Sequence, residues 1–170
     1  MKINQLRKIL NSFGDSVYFE HDLKKKNWFN IGGKSKVFFE ANNLNQLINF
    51  LKILNNRERI FVLGAGSNIL ITDGLFDGVV IKLGKNFSNI TLHNENIIIA
   101  GSSVLDKSLS NFAFKNHLSG FEFLSCIPGT IGGGTSMNAG CFGKEFKDIL
   151  VSVQAIDKFG KVVALSLIHI

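Results

Sequence analysis

Two stretches of this chain hold residue types whose spacing could do chemistry. The first is Val62-Leu63-Gly64-Ala65-Gly66-Ser67-Asn68-Ile69-Leu70-Ile71. An apolar run empties into Gly-Ala-Gly-Ser-Asn and then becomes apolar again. Glycine tolerates positive φ, so successive backbone N–H groups can turn toward one point and meet an anion. Ser67 and Asn68 add a hydroxyl and an amide able to donate to phosphate oxygens. The same residues also suit an ordinary glycine turn between two strands, and the segment alone supports either reading. Two familiar phosphate loops are excluded. A dinucleotide fingerprint needs a third glycine three residues after the second, at a helix start, and Ile69 stands there. Gly33-Lys34-Ser35 copies the end of a mononucleotide P-loop, but the glycine required five residues before Gly33 is Trp28.

The second stretch runs from Gly120 to Gly143. It holds seven of the 17 glycines and the only proline, Pro128. Gly132, Gly133 and Gly134 stand side by side, each weakening a regular element by roughly 1 kcal/mol relative to Ala. That cost implies backbone brought close to something. Ile127, Ile131 and Met137 lie between the glycines, able to pack against a flat ring. As a bare pattern the stretch reads as backbone wrapped around a ligand, set against an ordinary surface loop.

Composition narrows the setting. The chain has 170 residues, 45% hydrophobic and 19% charged, with a net charge of +6, enough apolar material for a packed core and too little charge for a disordered chain. The densest basic run is Lys24-Lys25-Lys26, and no basic stripe interleaved with aromatics follows it, so no nucleic-acid partner is expected. The N-terminus lacks an apolar leader core. No apolar run approaches the roughly 18 residues of a membrane span. A cytoplasmic protein with no membrane partner is expected, with Cys126 and Cys141 as free thiols. His21, His93, His117 and His169 are scattered without ligand spacing, so no metal site is expected.

The elements that must position these stretches alternate between helix and strand without a regular βαβ period. Ile3, Leu6, Ile9 and Leu10 have helical spacing, as do Leu44, Leu47, Ile48, Leu51 and Leu54. Residues 36–40, 59–63, 78–83 and 97–100 read as strands, and 108–117 as a helix. Residues 151–156 and 161–167 read as a hairpin turned by Asp157-Lys158-Phe159-Gly160. The class is α+β, with a small βαβ-like lobe followed by a strand-rich one.

Taken together, in this order and separation, three segments resemble the UDP-N-acetylenolpyruvoylglucosamine reductases. They are Gly64-Ala65-Gly66-Ser67-Asn68, Ile127-Pro128-Gly129-Thr130-Ile131-Gly132-Gly133 and Met137-Asn138-Ala139-Gly140-Cys141-Phe142-Gly143. Asn27 to Gly33 is similar to that family's start, and Gly74 to Ile81 to the strand after its phosphate loop. The resemblance implies a two-lobed FAD-binding fold of the vanillyl-alcohol oxidase type, truncated before the substrate domain. It implies a first FAD-binding subdomain over residues 1–75, an incomplete second over 76–166, and an artificial tail at 167–170, where Leu167-Ile168-His169-Ile170 replaces a polar continuation.

The cofactor so implied is FAD. Gly64, Ala65, Gly66, Ser67, Asn68 and Ile69 would take its pyrophosphate. Ile127, Pro128, Gly129, Ile131, Gly132 and Gly133 would border the flavin and its ribityl–phosphate chain, with Asn138, Gly140, Cys141 and Phe142 completing the wall. In the family NADPH reduces the flavin, and UDP-N-acetylenolpyruvoylglucosamine then accepts the hydride, yielding UDP-N-acetylmuramate for peptidoglycan. The family's Tyr-Arg segment, its proton-donating Ser or Cys and a late glutamate fall beyond Leu167, so no residue here is assigned as catalytic. Arg7, Arg57 and Arg59, the only arginines, do not match the Tyr-Arg motif. The chain alone is expected to bind FAD weakly at best and not to turn over. The same glycine segments also suit a stand-alone, non-catalytic flavin- or nucleotide-binding module. An RNA-binding domain is the weakest reading, because no aromatic-rich RNA motif is present.

Overall fold

Ile3, Leu6, Ile9 and Leu10 place one apolar stripe on α1 (Ile3–Leu10), which buries Leu6 and Leu10. Strand β1 (Val17–Asp22) follows, then β2 (Lys34–Ala41), α2 (Leu44–Leu54), β3 (Ile60–Leu63) and β4 (Leu75–Leu83). The Asn43 side chain caps α2 by accepting the Gln46 N–H, and Asn55 ends it in the left-handed conformation at φ 45°. The computed structural model describes residues 1–166; the tail expected at 167–170 lies outside them.

These elements form one unit, Met1–Gly84 joined by Gln154–Val163. Its sheet has the order β1-β2-β4-β3, with β1 antiparallel to β2, and β4 parallel to both β2 and β3. The central strands β2 and β4 carry unbroken apolar runs, Val37-Phe38-Phe39 and Val79-Val80-Ile81, all buried, as a strand covered on both faces requires. Phe39 stacks on Phe50 of α2 at 3.7 Å. Phe38 and Val80 cluster instead with Leu23 and Leu63. Buried Lys36 is neutralised by Glu58 and Asp77, each 2.8 Å from its ammonium. The boundary expected at residue 75 coincides with the start of β4. That strand completes this sheet, so the first unit extends to Gly84.

The second unit comprises Lys85–Val153 and the chain from Ala164. It contains the hairpin β5 (Ile90–His93) and β6 (Ile97–Ala100), then α3 (Asp106–Lys115), α4 (Ile131–Met137) and the two-residue strands β7 (Gly140–Cys141) and β8 (Lys144–Glu145). The strand-rich lobe expected here is instead helices and short hairpins around Val104, Leu109, Phe123, Leu124 and Phe146. The reason is local. Between α3 and β7 the apolar residues are separated by glycines and turns, leaving no run long enough for a paired strand. The last hairpin pairs β9 (Ser152–Ile156) with β10 (Val162–Ser166). No helix of the described residues is long and apolar enough to cross a membrane.

Gly33, the glycine of the P-loop look-alike, has a purely structural role. Its N–H donates to Thr72 O at 3.0 Å, and a Cβ on it would collide with the backbone of Gly74, where β2 and β4 begin to pair. Gly33→Ala is expected to cost about 2–3 kcal/mol. A urea midpoint equal to that of the unchanged chain would contradict this.

Candidate functional site

The Gly64–Asn68 loop leaves the C-terminal end of β3. The apolar run after it is not a strand: Ile69 and Ile71 fold back over Leu23, Phe38, Leu63 and Val80, and Leu70 points outward. Gly66 has φ +71°, and a Cβ there would strike Lys26 O and lie 2.8 Å from Asn27 Cα. Trp28 N–H donates to Gly66 O at 3.0 Å. Gly66 is therefore needed for contact with the chain's own 26–28 segment.

The loop's amides are another matter. Among the described residues, the N–H groups of Ala65, Gly66 and Ser67 donate to no protein acceptor, while Asn68 is engaged within the protein. Consecutive amides without acceptors beside a positive-φ residue are the donors from which anion-binding loops are built. The neighbouring segment is held from inside by Asn27. This buried side chain donates to Leu23 O at 3.0 Å and Ile31 O at 2.7 Å.

In the second unit the Ile127–Phe142 stretch is an internal wall more than an open loop. Ile131 N–H donates to Val104 O at 2.8 Å and Gly132 N–H to Ser102 O at 2.9 Å. A Cβ on Gly132 would lie 2.9 Å from Ser102 Cβ, and one on Gly129 would lie 2.6 Å from Asp106 Oδ2. On Gly140 it would lie 2.7 Å from Lys144 O, and on Gly134 it would enter the Phe146 ring. The close approach inferred from the glycine run is thus largely an approach of the protein to itself. Gly133 differs, because a Cβ on it would meet only Thr130 Oγ1, at 3.4 Å.

Asn138 caps α4 at φ 47°. Its amide is spent within the unit, donating to Glu145 Oε2 at 2.8 Å and accepting from Lys147 N–H at 3.0 Å. Cys141 packs partly into the core, and neither Cys126 nor Cys141 is bridged. Phe142 is 85% exposed, at φ 53° in the β7–β8 turn. A left-handed conformation costs a bulky residue about 1–2 kcal/mol, so this turn presents an aromatic ring outward against its local preference.

Asp106, at the start of α3, was not legible as special. An acidic residue in a helix's first turn ordinarily serves the helix dipole. Here it is fully buried, and neither carboxylate oxygen has a partner among the described residues. Burial pushes its pKa up to about 6. The folded chain therefore holds a proton that the unfolded chain releases near pH 4, so stability falls as pH rises through that window and stays lower above it. A rise of about two units corresponds to about 3 kcal/mol. Asp106→Asn is expected to gain about 1–3 kcal/mol over the unchanged chain at pH 7.5, with the gap closing toward pH 4. Equal gaps at both pH values would contradict the buried acid.

Comparison with known proteins fits this arrangement. The chain is 62% identical over 162 residues, 95% of its length, to the UDP-N-acetylenolpyruvoylglucosamine reductase of Pelagibacter ubique (strain HTCC1062), and covers 54% of that protein. The solved UDP-N-acetylenolpyruvylglucosamine reductase of Thermus caldophilus superposes with a TM-score of 0.72 at 26% identity, over 89% of this chain and 52% of that one. An alkyldihydroxyacetonephosphate synthase shares the fold at a TM-score of 0.65 and 13% identity, over 98% of this chain and 35% of that one. The chain spans about half the length of the curated relatives it matches. Residues 35–166 match the family described as FAD binding domain, and with its α+β fold in two units the chain belongs to that family.

Proposed function

We propose that this chain is the N-terminal, FAD-binding part of a cytoplasmic, NADPH-dependent reductase that converts UDP-N-acetylenolpyruvoylglucosamine to UDP-N-acetylmuramate. The observation that carries the reading is the 62% identity to a reductase of that name, sustained over 162 residues. The residues present fit the cofactor. Three adjacent amides with no acceptor among the described residues, at Ala65, Gly66 and Ser67, supply donors for the oxygens of a diphosphate. When bound, FAD supplies a ring that accepts a hydride from one substrate and passes it to another.

The chain's own task is to bind and orient. Backbone from Gly64 to Ile69 holds the diphosphate, with Ser67 adding a hydroxyl donor. Ile127, Pro128, Gly129, Ile131, Gly132 and Gly133 border the ring and its ribityl chain, and Gly133 leaves space where backbone can meet the ligand. Asn138, fixed by Glu145 and Lys147, holds the turn that carries Gly140, Cys141 and Phe142. The groups that polarise the sugar nucleotide and protonate it belong to the part of the relatives that this chain does not span.

The test uses a gene product continued to the length of the relatives. It is expected to carry FAD and to oxidise NADPH only when the enolpyruvyl sugar nucleotide is added. An FAD-loaded protein that leaves both substrates unchanged would overturn the reductase reading in favour of a non-catalytic flavin-binding module.

A further inference from the structure

The segment before β2 presents an aromatic pair that the core does not use. Trp28 is 60% exposed and Phe29 61% exposed, yet the loop bearing them is tied down at several points. Asn27 clamps it from inside through Leu23 O and Ile31 O. Leu23 N–H donates to Gly33 O at 3.0 Å, and Gly33 N–H to Thr72 O. Trp28 itself donates its N–H to Gly66 O at 3.0 Å, which ties its backbone to the loop that carries the amides of Ala65, Gly66 and Ser67. A loop tied at these points thus carries an exposed indole on a segment hydrogen-bonded to the glycine loop, with exposed Lys24 and Lys25 just before it in sequence.

That pairing has the chemistry of a nucleoside diphosphate, whose flat base lies one sugar away from its phosphates. We infer that Trp28 is the stacking platform for the adenine ring of the dinucleotide. The inference rests on the FAD reading proposed above and adds a residue to it. Adenine is the ring assigned because Trp28 lies in the unit that carries the amides of Ala65, Gly66 and Ser67, and adenine is the ring one ribose away from the diphosphate, whereas the flavin stands at the far end of a ribityl chain. Base–aromatic stacking is worth roughly 1–3 kcal/mol per base, and a platform held in place beforehand loses little of that to ordering.

The chain contains a single tryptophan, so the residue reports on itself. ADP, which neither absorbs nor emits where indole fluoresces, is expected to quench Trp28 emission on titration. Trp28→Ala is expected to weaken FAD binding about tenfold. The same variant should change affinity for riboflavin 5′-diphosphate, which keeps the flavin and the diphosphate but lacks adenosine, by less than twofold. Trp28→Phe should recover most of the loss, which a merely structural defect would not allow. If unchanged protein binds FAD and Trp28→Ala binds it equally well, the stacking role is overturned while the flavin reading stands. Equal losses for FAD and riboflavin 5′-diphosphate would move the indole from adenine to the flavin side and overturn the assignment. The titrations use the gene product continued to the length of the relatives; if that protein binds no FAD, the flavin reading itself fails and the stacking role fails with it.

Discussion

The parallel pairing of β4 between β2 and β3 is the constraint on which the candidate site depends. Two neighbouring parallel strands cannot be joined by a tight turn, because the chain must travel back the length of the strand before it can pair. Helix α2 makes such a return between β2 and β3, and β4 then inserts between them. From β3 to β4 the chain makes the return with residues 64–74, which contain no helix. It therefore turns sharply at the C-terminal end of β3 and crosses the sheet face as Ile69 and Ile71. Crevices outside the carboxyl ends of strands are where α/β sheets receive ligands. The glycine loop occupies such an end because the connection has to begin there.

The two glycine-rich segments solve different physical problems. In the first, Gly66 lets the loop contact the 26–28 segment, and the amides of Ala65, Gly66 and Ser67 keep no partner among the described residues. In the second, Gly129, Gly132, Gly134 and Gly140 each sit where a side chain would strike Asp106, Ser102, Phe146 or Lys144. The second segment is thus shaped mainly by its own unit. A ligand meeting it encounters a wall already closed by internal contacts, with Gly133 and the ring of Phe142 as its open features. Asp106 behind Gly129 adds a buried acid whose proton depends on that closure.

Much of this was legible in sequence, for identifiable reasons. Helices α1 and α2 coincide with the spacing of their leucines and isoleucines. β3 and β6 follow from compact β-branched runs. What escaped was whatever depends on contacts between distant residues. Ile69-Leu70-Ile71 has the composition of a strand, yet it pairs with none and instead covers Phe38 and Val80. Ile131 to Met137 contains three glycines and still forms α4, because Thr130 caps it and Gly134 lets it lie on Phe146. Asp106 looks like any residue of a first helical turn until Gly129 is packed over it. In sequence Trp28 breaks the P-loop pattern and falls within the segment similar to the family's start, but nothing local reveals that its N–H binds Gly66.

The proposed site turns on the backbone amides of Ala65, Gly66 and Ser67 donating to the diphosphate of FAD. Amide hydrogen exchange followed residue by residue, with and without ligand, tests it most directly. The account predicts that these three amides exchange more slowly once FAD is bound and stay fast with riboflavin, which has no phosphate. FAD that binds while all three keep the exchange rates of the free chain would contradict it.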